Sequence, residues 1–283
     1  MGLAIGRFFR EGSWSDLRSR LISAVILGIL AIGLTFVGGW AFRILCCAAG
    51  LIVFDEWSRM TRARRVRPLF HFARRCFYLA LLAFVFGFNL AALAILAAGA
   101  LFIAFVDRDE HKADWVLGGL LYAGVAAMTP GFVRGADTSG LVTIGFVIAI
   151  VWSTDIFAYF SGRTFGGPKL MPSVSPKKTI SGALGGLAAG IAFGALFAEW
   201  ATGSVGLFVI VLAALLSALG QAGDLYESWI KRRFGVKDSG RIIPGHGGLM
   251  DRIDALIVAI GAVWIVGVLI AGFSQPAHGI FPL

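Results

Sequence analysis

Charge is scarce in this chain. Only 14% of its 283 residues are Asp, Glu, Lys or Arg, 58% are hydrophobic, and the mean hydropathy is +0.84. A soluble domain of this length has no way to hide that much apolar surface, which leaves a polytopic membrane protein. Cysteine is scarce as well. Cys46, Cys47 and Cys76 are odd in number, lie in or beside apolar runs and lack metal-ligand spacing. A disulfide framework and a zinc site are therefore set aside, and the three read as small packing residues. No cleaved leader is evident either: Arg7, Arg10, Arg18 and Arg20 precede a full-length apolar span, the pattern of a retained first helix. The stretch from Arg7 to Trp14 reads as an amphipathic segment lying on the interface.

What is abundant is apolar length. Runs able to cross ~30 Å of hydrocarbon recur along the chain and predict an all-α bundle of about nine transmembrane helices. They lie near 21–38, 40–57, 75–88, 89–106, 115–129, 139–160, 181–200, 204–230 and 252–272. The breaks at Gly38-Gly39 and Gly87-Phe88-Asn89 are the weakest, because hydropathy hardly dips there. Glycine is plentiful, 38 residues, and much of it falls inside apolar runs such as 182–190, where it suits close helix packing.

The cations are segregated. With nine spans, the N-terminus and every second loop hold all of the 25 Lys and Arg except Arg43 and Arg134. By the positive-inside rule the loaded face is cytoplasmic and the C-terminus is outside, as in the inner (plasma) membrane of a bacterium. The formal charge of +9 is thus a topology signal and does not call for nucleic acid. Arg59, Arg62, Arg64, Arg65, Arg67, Arg74 and Arg75 read in the same way, with anionic headgroups as their contacts. The sequence divides at 138 into an N-terminal membrane region of about five spans and a C-terminal region, 139–283, of about four, with polar loops at 162–181 and 231–250.

Chemistry concentrates between the last two spans. At 100° per residue, Ser217, Gly220, Gln221, Asp224, Glu227, Ser228 and Lys231 share one face of an otherwise apolar helix. Such a stripe must face protein or a wet cavity, since ionisable groups facing lipid are costly. Asp224 lies ~13 Å below Arg233 along the axis and needs a cation to stay ionised, either Lys231, Arg232, Lys237 or a metal; an internal ion pair is the plainer alternative. Past Gly247-Gly248, Asp251 and Asp254 share a face in the first turn of the final span. Acidic caps are ordinary there, but the preceding glycines let backbone amides approach a phosphate at a helix N-terminus. Asp224 and Asp251 can meet across the intervening loop, and two hard carboxylates with room for water and phosphate describe Mg²⁺ better than Zn²⁺. Lys231, Arg232, Lys237 and Arg241 would supply positive charge, and His246 a phosphate ligand.

A second polar insert, 162–181, lies on the same face. Its Gly162…Gly167-Pro168-Lys169 spacing is a poor P-loop: Pro168 intrudes, no Ser or Thr follows the lysine, and a helix precedes it where a strand is needed. Ser175-Pro176-Lys177-Lys178-Thr179 is better evidence, since adjacent lysines flanked by hydroxyls suit a triphosphate or a lipid phosphate. Asp155, on one face with Tyr159 and Gly162, points toward the same loop region.

In order, Ser228, Ile230, Lys231-Arg232, Lys237-Asp238, Gly240, Ile243-Pro244, His246-Gly247-Gly248 and Asp251-Arg252-Ile253-Asp254 fill the signature of phosphatidate cytidylyltransferases without a departure. The chain resembles that family over roughly 150–255, and before it only in being apolar, multi-span and marked by Asp55-Glu56-Trp57. The resemblance implies transfer of CMP from CTP to phosphatidic acid, giving CDP-diacylglycerol and pyrophosphate. It also implies dependence on Mg²⁺, with a second, monovalent cation as an option, and a homodimer. It implies Asp224 and Asp251 as the metal acids. On that reading Ser175, Lys177, Lys178, Thr179, Lys231, Arg232, Lys237, His246, Gly247 and Gly248 bind phosphates, while Asp155, Tyr159, Ser228, Asp238, Arg252 and Asp254 support the site. Two rivals remain. A transporter would need polar residues reaching both faces, and another membrane transferase would join a nucleotide sugar to a lipid phosphate.

Overall fold

A computed structural model describes residues 26, 28–106, 113–242 and 247–283. The segment Arg7–Trp14 and His246 therefore lie outside the described residues. Among those described there are nine α-helices: α1 (Gly28–Val37), α2 (Gly39–Met60), α3 (Arg67–Val85), α4 (Asn89–Val106), α5 (Asp114–Arg134), α6 (Thr138–Phe165), α7 (Ile180–Thr202), α8 (Leu207–Arg233) and α9 (Met250–Ala271). Seven of them, α3 to α9, are long and apolar enough to cross a membrane. The protein is the all-α, multi-pass membrane protein that its hydropathy predicts.

The two weak breaks are real and have one cause. Gly38 (φ 67°) separates α1 from α2 and Gly87 (φ 86°) closes α3 before α4. Each takes a left-handed conformation that a residue with a Cβ adopts only under strain, so the turn is made without any loss of apolar composition. The insert at 162–181 differs from a plain loop. Helix α6 runs on to Phe165, and the remainder folds into an antiparallel hairpin of β1 (Lys169–Met171) and β2 (Ser175–Thr179). Thr179 then caps α7, its Oγ1 accepting the amide of Gly182 at 3.1 Å.

Two apolar cores share the bundle. One joins α2, α3, α4 and α5 around Trp57, Phe77, Phe84 and Leu120, and takes in Ile230 and Met250 from α8 and α9. The other joins α6, α8 and α9 around Phe146, Ile150, Leu216 and Ile260. Helix α7 enters through small residues: a Cβ on Gly190 would lie 2.8 Å from Ser217 Oγ, and this close approach accompanies a 2.7 Å bond between Thr154 Oγ1 and Ser217 Oγ.

Polar contacts gather at the two ends of the helices. At one end Arg134 donates to the carbonyls of Thr35, Phe36 and Asp137, and Asp137 meets His278 at 2.7 Å. Burial alone would raise the Asp137 carboxyl, but the Gly140 amide, His278 and Arg134 outweigh it and hold the group below its usual value. Arg43 donates to the Phe84 carbonyl and to Asn89 Oδ1, so both cations that depart from the charge segregation have internal partners. The other end carries the β-hairpin and the α8–α9 segment, and there the site is built.

Candidate active site

Helix α8 delivers the acids and α9 answers them. The Asp224 carboxylate is paired with Lys178 of β2, and Ser228 Oγ donates to it at 3.4 Å. Alternation along the strand sends the neighbouring Lys177 the other way, where it is exposed. Asp155 of α6 and Asp254 of α9 both lie within electrostatic reach of Asp224, and Asp155 also feels Lys178. Asp155 is exposed although it falls well inside an apolar helix.

One turn further, Lys231 Nζ bridges two carboxylates, Glu227 Oε2 and Asp251 Oδ1, each at 2.8 Å. Glu227 and Lys231 are buried and Asp251 is partly buried. Asp251 also accepts the amides of Ser239 at 2.9 Å and Gly248 at 3.0 Å. Glu227 lies against Asp254, and two carboxylates in contact must share a proton or a cation. Close by, the buried hydroxyl of Tyr122 on α5 and Glu227 Oε1 have no hydrogen-bond partner among the described residues.

The start of α9 is held from a distance. Glu56 of α2, 2% exposed, accepts the amides of Leu249 at 3.0 Å and Met250 at 2.8 Å, and the hydroxyl of Ser239 at 3.2 Å. Gly248 is tightly enclosed there: a Cβ on it would lie 2.8 Å from Glu56 Oε1 and 2.7 Å from the Gly240 amide nitrogen. The adjoining Trp57 donates from its indole to the Trp115 carbonyl at 2.8 Å and stacks on Tyr122, so consecutive residues of α2 grip α9 and α5.

The cytidylyltransferase family model matches residues 18–270, nearly the whole chain. The chain belongs to the cytidylyltransferase family. Among its curated relatives is the phosphatidate cytidylyltransferase of Brucella suis, 44% identical over 93% of this chain and 97% of that protein. The phosphatidate cytidylyltransferase of Bacillus subtilis is 30% identical over 92% of this chain and 99% of that protein.

In this member of the family, the signature residues fall into two groups. Asp224 is brought to Lys178, Ser228, Asp155 and Asp254, while Asp251 is drawn into the Lys231 bridge and the two amides. The acids within electrostatic reach of Asp224 therefore include Asp155 and Asp254, and Lys231 is engaged by carboxylates where a free phosphate clamp was expected. Amides at the α9 N-terminus, including that of Gly248, are likewise taken by Glu56 and Asp251; Gly247 adjoins them at φ 86°. Lys237, Asp238, Arg241 and Arg252 are exposed around the segment. Arg232 donates to the carbonyls of Val174 at 3.3 Å and Val236 at 3.4 Å, tying α8 to the hairpin through Val174. Thr179 serves as a helix cap, and Tyr159 is exposed and accepts a 2.8 Å bond from Arg163. Sequence reasoning passed over Ser239 and Tyr122, and gave Glu56 no role beyond its place in Asp55-Glu56-Trp57. The partners of Glu56 lie 193 and 194 residues away, and no local pattern announces them.

Among the described residues no group of three or more His, Cys, Asp or Glu side chains is arranged to enclose a metal ion. A single partly open carboxylate such as Asp224 still fits Mg²⁺, which keeps several waters and is held by one or two carboxylates together with substrate phosphates.

Proposed function

We propose that this chain is a phosphatidate cytidylyltransferase, transferring CMP from CTP to phosphatidic acid and releasing pyrophosphate. The observation that carries the reading is the Lys178–Asp224 pair. It joins the lysine-bearing hairpin to the acids of the signature helix, near the exposed Asp155. A lipid substrate can leave its acyl chains in the bilayer and bring only its phosphate to such a site.

The reaction joins a phosphatidate phosphate oxygen to the α-phosphorus of CTP and breaks the bond from that phosphorus to the bridging oxygen of the β-phosphate. The nucleophile is already anionic and needs no strong base, so the protein's work is positioning and charge neutralisation. Lys177, Lys178 and Lys237, with Arg232 and Arg241, supply the cations that neutralise a triphosphate and the leaving pyrophosphate. Asp251 holds Lys231, and Lys231 in turn orients Glu227 beside Asp254. The reading includes Mg²⁺. Asp224 would hold the ion, with Asp254 and Asp155 adding negative charge nearby, and the ion would supply positive charge that neutralises phosphate oxygens. The same reading places this end of the bundle in the cytoplasm of a bacterium and takes the protein as a homodimer.

Pyrophosphate release by protein in phosphatidate-containing micelles tests the proposal. Release is expected with CTP and phosphatidate together and not with either alone. Turnover with a UDP-sugar in place of CTP would instead favour the nucleotide-sugar transferase.

A further inference from the structure

Glu56 is a carboxylate in the half of the chain that carries none of the signature, yet it is almost completely buried against that signature. Its two oxygens accept three hydrogen bonds, all from the α8–α9 segment: Oε1 from the Leu249 amide, Oε2 from the Met250 amide and the Ser239 hydroxyl. Gly240 and Gly248 close over it without room for a Cβ on either. A charge at such depth is costly unless several donors hold it, and here the donors are the first amides of a helix, where the macrodipole also favours an anion.

One residue that Glu56 holds, and the chain neighbour of another, pass its position on. Ser239 offers its hydroxyl to Glu56 and its amide to Asp251, and Gly248, next to Leu249, offers its amide to Asp251. Asp251 then fixes Lys231 at 2.8 Å, and Lys231 fixes Glu227 beside Asp254. We propose that Glu56 is a positioning residue for cytidylyl transfer, acting through Asp251 and Lys231 without touching substrate. Its neighbours on α2 support the role. Trp57 is anchored to the Trp115 carbonyl, and Asp55 is paired with Arg59 and Arg64, so the carboxylate stands on a turn of helix held on both sides. The inference rests on the phosphatidate cytidylyltransferase reading for its kinetic consequence, and on the structure alone for its physical one.

The test uses the full-length protein in lipid nanodiscs. In Glu56→Gln an amide NH₂ must face an N–H donor, so one of the three bonds becomes a repulsion. Glu56→Gln is expected to lower kcat/KM by on the order of ten- to a hundredfold, through kcat and the KM for CTP together, because displaced catalytic groups cost that much. Ser239→Ala, which removes one bond and leaves the carboxylate in place, is expected to give a smaller loss in the same direction. Combined with Asp251→Asn, the Glu56→Gln change should add little further loss, since both act on one relay. Amide hydrogen exchange at 239–242 and 247–250, which needs no turnover, should quicken in Glu56→Gln while exchange in α4 and α7 is unchanged. Wild-type kinetics with unaltered exchange in Glu56→Gln, losses that multiply with Asp251→Asn, or quickened exchange spread over the whole bundle would each overturn the proposal. If the wild-type protein itself fails to turn over CTP and phosphatidate, the activity reading falls and the exchange result alone decides whether Glu56 orders the segment.

Discussion

Lys231→Met is expected to be the most damaging single substitution in the polar site. The side chain removed is the cation held between the carboxylates of Glu227 and Asp251, whose side chains are 1% and 9% exposed. Deleting one partner of a buried ion pair typically costs ~3–5 kcal/mol, because the carboxylate left behind has neither water nor a counter-charge. Here two are left behind. Thermal unfolding of the detergent-solubilised protein should show a large drop in midpoint, with loss of cytidylyl transfer even below that midpoint. Lys231→Met combined with Glu227→Gln should recover part of the stability and none of the activity. A single variant with a wild-type midpoint would mean that the bridge contributes little and that Lys231 is free to clamp phosphate as the sequence alone suggested.

Asp224→Asn is expected to behave in the opposite manner, with little change in stability and a loss of activity of at least about a hundredfold. Its carboxylate is partly open, 30% exposed, and pairs with a lysine of similar exposure, so the bond itself contributes modestly to folding. In the catalytic reading, however, it is the acid closest to where a hard cation and phosphates would meet, and losing such a group removes transition-state stabilisation of on the order of 10²-fold or more. Titrating Mg²⁺ should show that the variant needs a higher concentration for half-maximal rate. If Asp224→Asn retains wild-type turnover while folded, the catalytic cluster has been placed wrongly.

Much of this was legible in the chain itself, for identifiable reasons. Helices announce themselves by apolar length, and the stripe of Ser217, Gln221, Asp224, Glu227 and Lys231 announces a protected face because lipid would not tolerate it. The ordered residues from Ser228 to Asp254 brought the family with them. Pairings across sequence were less readable. Asp224 and Asp251 looked like partners because one loop joins their helices, but α9 enters so that Asp254 lies against Glu227 within electrostatic reach of Asp224, and Asp251 bonds Lys231. Both residues lie on the first turn of the same helix and both meet α8, and which α8 side chain each one meets depends on the helix's rotation, which the Glu56–Met250 contact helps to set. The hairpin of β1 and β2 was also hidden, because five residues containing proline and two lysines carry no strand periodicity. Glu56 was visible as an acid in an apolar run, but nothing nearby in sequence said that its partners are at the far end of the chain.

The most direct measurement follows the phosphorus. Protein incubated with phosphatidate and CTP labelled at the α-phosphate should place the label in the chloroform-soluble lipid product, and CTP labelled at the γ-phosphate should place it in pyrophosphate. Label from the γ-phosphate in lipid would make the protein a kinase, and α-label confined to the aqueous phase would contradict cytidylyl transfer to a lipid altogether.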